Sequence, residues 1–355
     1  MTTRIRSLIL AAALAATAAV AAGASAAPGA TLPGTQLAPV KSYLLDHTTQ
    51  LHGFTKEFRA VANRYYATAK AANFDYSELA QSAAVRKDIA RARTLWTKGN
   101  PFYERVEGVV AGTPSLAIFD VILDAGSSAK EDPASAVPFD LRLPTGRVLR
   151  KPGNLFNLTE GMLWGTRPEY VGAKADLDGD GLLEFGEVLP DANVFKASAD
   201  EFVLQGGRLA RSARAWTPTA SDAFTSVVVM VPTMSEYFGQ WKVSRFVLGN
   251  KAKGDSFNVV SRLSDIGDIL GGLRVIYRGI APAIARIDPQ QSAQTKRELD
   301  ALWSYVAKLR AQERNGKRFT PQQADTLGRT AQERATAIAG QVTQAAARLK
   351  VKIVQ

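Results

Sequence analysis

Apolar residues return every three or four positions over much of the chain, and that spacing sets the first expectation. Val40, Leu44, Leu51, Phe54, Phe58, Val61 and Tyr65 mark one buried face of a long helix. Val85, Ile89, Trp96, Tyr103, Val106 and Val110 mark a second, expected to bend or break at Pro101. Leu299, Leu302, Val306 and Leu309 repeat the stripe, and Thr320-Pro321-Gln322-Gln323 offers a capping-box start for a helix reaching about Leu349. The aromatic stretch from Tyr237 to Phe246 has helical spacing and reads as core. Alternation replaces the helical period only at Phe139 to Leu143 and Arg147 to Leu149, around Pro144-Thr145-Gly146, predicting a hairpin inside an insertion at 127–153. The pattern predicts an all-α bundle with one small hairpin, and no internal repeat of solenoid length is visible.

The N-terminus follows another plan. Arg4 and Arg6 precede the apolar run Leu8 to Ala22, and Ala24-Ser25-Ala26 supplies small residues for cleavage. A signal peptide over 1–26 is expected, then a flexible 27–35 and one helical domain over 36–350. No later segment is apolar enough to span a membrane. The chain has no cysteine, so neither disulfides nor a lipobox thiol are available, and a periplasmic or secreted protein that is not a lipoprotein is expected. Of 44 basic residues the leader removes two, leaving 42 against 33 acidic, about +9. The basic residues alternate with acids and are not interleaved with aromatics, which argues against a nucleic-acid platform.

Candidate chemistry begins at Ala175-Asp176-Leu177-Asp178-Gly179-Asp180-Gly181-Leu182-Leu183-Glu184-Phe185-Gly186-Glu187. Asp176, Asp178, Asp180, Gly181, Leu183 and Glu187 fill positions 1, 3, 5, 6, 8 and 12 of an EF-hand-type calcium loop at 176–187. Three carboxylates on alternate residues converge on one ion, Gly181 permits the turn, Leu182 offers its carbonyl, Glu184 holds a water and Glu187 closes the shell. Pro168, Gly172 and Pro190 shorten the flanking helices, and the loop has no paired hand. Calcium is therefore expected as a staple rather than a signal.

A second group of acids falls on predicted helical faces. Glu104 and Glu107 are three residues apart, as are Asn157 and Glu160, and Asp120 and Asp124 lie one turn apart in an apolar run. Buried carboxylates need a cation, so these acids want a metal or arginines such as Arg105 or Arg262. Asp120 and Asp124 compete for the aspartate role.

Tyr103 with Glu104 and Glu107, Leu123-Asp124-Ala125, Asn157 to Glu160 before Leu163-Trp164, and Ser261-Arg262-Leu263-Ser264-Asp265-Ile266-Gly267-Asp268 together resemble the imelysin-like family, closest to its EfeO/EfeM-type envelope proteins associated with iron uptake. The resemblance implies an all-helical bundle in the cell envelope. It also implies a metal site built from Glu104, Glu107, Asp124, Asn157 and Glu160. The family's histidine falls here on Asn157, so the set is all oxygen and suits hard cations.

Catalytic signatures are missing. The two histidines form no HExxH, no Gly-x-Ser-x-Gly occurs, and His47 lies on the first apolar stripe as a satisfied core residue. The expected function is an exported, non-enzymatic metal-binding protein accessory to iron or other cation uptake, with an envelope permease as partner. The alternative is a binding module for acidic envelope polymers, using the basic excess and the 127–153 insertion, with both metal sites structural.

Overall fold

The computed structural model describes residues 32–252 and 257–354. The expected leader over 1–26 and the first part of 27–35 lie outside the described residues. Helix α1 (Ala38–Ala71) carries the first apolar stripe, a short α2 (Tyr76–Gln81) follows, and α3 spans Ala83–Val110. Next come α4 (Ala117–Asp120), a π-type turn at Val121–Ala125, strands β1 (Leu141–Arg142) and β2 (Val148–Leu149), and α5 (Leu155–Trp164). Strands β3 (Val171–Lys174) and β4 (Val188–Pro190) precede α6 (Ala192–Ala215), α7 (Ala220–Met230), α8 (Met234–Val243) and α9 (Arg245–Leu248). The chain ends in α10 (Arg262–Ile287), α11 (Pro289–Arg314) and α12 (Pro321–Arg348). The all-α expectation holds: the two sheets are two-stranded antiparallel ribbons only, β1 with β2 in the predicted hairpin and β3 with β4.

Each long helix buries the face its sequence marks. α1 packs on α3 and on an antiparallel α6, where Phe54, Phe58, Trp96, Phe156, Phe195 and Phe202 form one aromatic cluster, Trp96 and Phe156 meeting edge to face at 4.8 Å. Such ring pairs contribute roughly 0.5–1.5 kcal/mol each beyond the area they bury. α10 packs on α3 and α11, and α12 closes over α7, α8 and α11. The Thr320 capping box forms as read, with Thr320 and Gln323 bonding each other's backbone amides.

Three expectations are corrected. α3 runs unbroken through Pro101. Both flanks of the proline pack into the core, Gly99 against the Phe54 ring and Gly108 against Leu273, and this burial outweighs one lost backbone bond. The calcium-type loop is flanked not by shortened helices but by β3 and β4, with Ala175 N donating to Glu187 O at 3.0 Å. His47 is half-buried rather than core, its Nδ1 2.9 Å from Tyr43 O.

The α3–α10 crossing positions everything that follows. A Cβ on Gly272 would lie 2.2 Å from the Arg105 carbonyl oxygen, so only glycine lets the two backbones meet there. Gly272→Ala is expected to cost about 1–3 kcal/mol, from overpacking against backbone that cannot turn aside. Urea denaturation checks it; a variant of unchanged midpoint contradicts the close approach.

Candidate metal centre

α3 presents Glu104 and Glu107 on one face toward α10, both fully buried. Asp124 arrives from the π-type turn, where Gly126 N reaches back to Val121 O at 2.9 Å. One oxygen from each of the three carboxylates lies within 4.8 Å of the others, close enough to share a cation. Arg262, in the first turn of α10, enters the same space. Its guanidinium lies 3.5 Å from Glu104, 3.5 Å from Asp124 and 3.3 Å from Asp265, its Nε donates to Gln240 at 2.8 Å, and the rings of Phe257 and Tyr237 cover it at 4.1 and 4.4 Å.

Neighbours hold the individual acids. Asn100 Nδ2 donates to Glu104 Oε1 at 2.9 Å, and Tyr237 OH donates to Glu107 Oε1 at 2.7 Å. Tyr103 OH donates to Asp120 Oδ1 at 2.6 Å, which resolves the competition: Asp124 joins the triad and Asp120 serves the tyrosine. Glu160, on α5, accepts from Asn258 N at 3.3 Å, and Asn157 uses its backbone amide on the Asn154 cap. The grouping within 4.8 Å takes in Glu104, Glu107 and Asp124 and not Glu160. Glu160 faces the amides of the segment leading into α10, and Asn157 occupies the capped first turn of α5.

Charge is badly matched at this centre. Among the described residues, Glu104, Glu107, Asp120, Asp124 and Asp265 stand around a single arginine, Arg262, and Glu160 on α5 is a sixth buried acid. Burial is the first cause that raises the pKa of each of the six. Glu107 is pushed up to about 7 against the pull of Arg262, Glu160 to about 7 against the Asn258 amide, and Asp265 to about 8 against Arg262. Mutual repulsion adds to burial for Glu104, where Asp265, Asp124 and Glu107 all act on it. Among the described residues, four buried oxygens at this centre have no hydrogen-bond partner: Glu107 Oε2, Asp124 Oδ1, Asp265 Oδ1 and Asn100 Oδ1. Orphaned acceptors around an acid excess are what a coordinated cation satisfies, and the all-oxygen donor set fits a hard one.

A family model described as imelysin, and labelled as a peptidase family, matches residues 43–345. The chain belongs to the imelysin family. No curated protein matches it. In this imelysin chain the sequence reading missed Asp265, Tyr237 and Asn100. Asp265 lay within a stretch noted only for its resemblance, and Asn100 lies one turn before Glu104. Tyr237 looked like ordinary core, and nothing local marks its hydroxyl as a partner of Glu107. Arg262 was foreseen as an ion-pair partner; Arg105 instead faces outward, 3.8 Å from Asp268.

The loop at 176–187 forms a second acidic group, in which Asp176, Asp178 and Glu187 offer oxygens within 4.8 Å of one another. Asp176 accepts from Gly179 N at 2.6 Å and Gly181 N at 2.8 Å, and Glu187 from Leu177 N at 2.8 Å and Glu184 N at 2.9 Å. Asp180, whose Oδ1 accepts from Leu182 N at 2.8 Å, is not in that group. The expected ligands Leu182 and Glu184 are exposed. Arg93, from α3, ties the loop to α3 and α5 by donating to Gly186 O and Leu163 O.

Among the described residues, no helix is long and apolar enough to cross a membrane.

Proposed function

We propose that this protein is an exported metal-binding component of the cell envelope, accessory to the uptake of iron or another cation, and that it does no covalent chemistry. The observation that carries the reading is the set of partnerless buried oxygens on Glu107, Asp124, Asp265 and Asn100 beside a carboxylate triad. Glu104, Glu107 and Asp124 would hold the ion, Asn100 and Tyr237 would orient the two glutamates, and Arg262 would offset the residual negative charge. The leader-like N-terminus supports export. A calcium ion between Asp176, Asp178 and Glu187 would tie β3 to β4 and serve the fold, replacing the cross-link that a cysteine-free chain lacks.

Calorimetric titration with Mn2+ and with Ca2+, alongside elemental analysis of the purified protein, tests both sites. Glu104→Gln, Glu107→Gln and Asp124→Asn together are expected to weaken the inner site at least about a hundredfold, since loss of a single supporting residue already costs 10–100-fold. Asp176→Asn with Glu187→Gln should remove only calcium binding. A triple variant that binds Mn2+ as the parent does overturns the inner site. Peptide cleavage abolished by a chelator overturns the non-enzymatic reading.

A further inference from the structure

Away from the acid centre, the groove between α1 and α6 gathers charge of the opposite sign. Gly206 and Gly207 bare the backbone of α6 where α1 passes: a Cβ on Gly207 would lie 3.0 Å from the His52 ring, and one on Gly206 3.3 Å from Thr55 Oγ1. His52 therefore marks the level at which the antiparallel helices meet most closely. Lys56 and Arg59 follow on α1 to one side of that level, and Arg211 and Arg214 follow on α6 to the other. The helical rise sets the four cations along roughly 20 Å of groove. Among the described residues, none of the four has a carboxylate within ion-pair distance; Lys56, Arg211 and Arg214 are exposed and Arg59 is half-buried.

Two further observations mark the groove as electropositive. His52 Nδ1 is buried without a hydrogen-bond partner. Burial first, and then the fields of Lys56, Arg211, Arg214 and Arg59, hold the His52 pKa below its ordinary value. Elsewhere part of the basic excess is paired, as in Arg64 with Asp88, Arg91 with Glu57 and Lys242 with Asp325. In the 127–153 insertion, expected to serve polymer binding, Arg150 pairs with Asp140 and Glu131 with Arg167, so that surface is mixed.

We infer that the α1–α6 groove is a binding surface for a soluble linear polyanion, with Lys56, Arg59, Arg211 and Arg214 meeting successive negative groups of the polymer. The linear spread of charge matches a chain of repeating anions better than a single small anion. A lipid surface fits less well: it calls for bulky apolar residues beside the cations, and Leu204 is the sole large hydrophobic exposed on the two helices. This surface is independent of the metal reading, since it shares no residue with either acidic group.

The test uses the full mature protein and fluorescently labelled inorganic polyphosphate of about 25 units, followed by anisotropy at several salt concentrations. The parent is expected to bind with log Kd rising against log salt at a slope of about 3, as four cations each displace a counterion. Lys56→Gln, Arg59→Gln, Arg211→Gln and Arg214→Gln together should weaken binding at least about tenfold and flatten that slope. A second variant removes the same net charge elsewhere, at the exposed Arg142, Arg147, Lys308 and Arg329, and should bind nearly as the parent does. Equal weakening in both variants assigns the binding to net charge and overturns the site, as does unchanged affinity in the first. Capture by anionic phosphatidylglycerol vesicles without binding to soluble polyphosphate also overturns it. Thermal melts matching the parent show that both variants fold.

Discussion

Arg262→Met is expected to destabilise the metal-free protein by about 3–5 kcal/mol, the usual cost of stripping one partner from a buried ion pair. The guanidinium is the counter-charge that lies 3.3–3.5 Å from Glu104, Asp124 and Asp265, and methionine replaces its volume but not its charge. In a protein of this size, that loss lowers the melting temperature by roughly 10 °C. Arg262→Lys should fall between, because lysine keeps the charge but not the planar fork that reaches several carboxylates while stacked between Tyr237 and Phe257. Adding Mn2+ should restore part of the Met variant's stability and less of the parent's. A Met variant as stable as the parent at pH 8 in chelator would show that protons, not Arg262, balance the cluster.

A second large effect is expected from pH. Glu107 and Glu160 titrate near 7 and Asp265 near 8 in the folded chain, against ordinary values of 4.5 and 3.8. Between those limits the folded state binds more protons than the unfolded one, so stability falls as pH rises. The contribution is fully present below about pH 4 and is lost as pH climbs through 7 to 8. Glu107 and Glu160 each contribute on the order of 3 kcal/mol and Asp265 on the order of 6 kcal/mol. Glu131, held below its ordinary range by Arg167 against the opposing effect of burial, acts the other way and is lost on acidification. Chemical denaturation of the chelated protein from pH 5 to 8.5 should show a steady decline, and saturating divalent cation should flatten it. A decline that persists unchanged with cation would separate the titrating acids from the metal site.

The sequence made the fold legible where one short-range rule suffices. Apolar spacing located α1, α3, α11 and α12, and Thr320-Pro321 fixed the start of α12 almost to the residue. It was less informative where tertiary packing overrides a local signal: Pro101 reads as a break, yet α3 continues because both sides of the proline are buried. The flanks of the 176–187 loop likewise pair as strands, since Val188 and Leu189 have a buried surface to join that the sequence does not display. At the centre, Glu104, Glu107 and Asp124 were found because acids on apolar faces are conspicuous. Tyr237 escaped notice because an aromatic on an apolar face is not, and Glu160 was grouped with the triad because spacing cannot tell which partner a carboxylate meets.

The imbalance between five carboxyl groups and one guanidinium has a consequence for exchange with the surroundings. Oxygens that are protonated near neutrality must shed those protons to coordinate an ion, so loading the centre would acidify the medium and acidifying the medium would empty the centre. On the proposed reading, the interior of the bundle would thus behave as a weak-acid ion exchanger, with Arg262 as its fixed counter-ion.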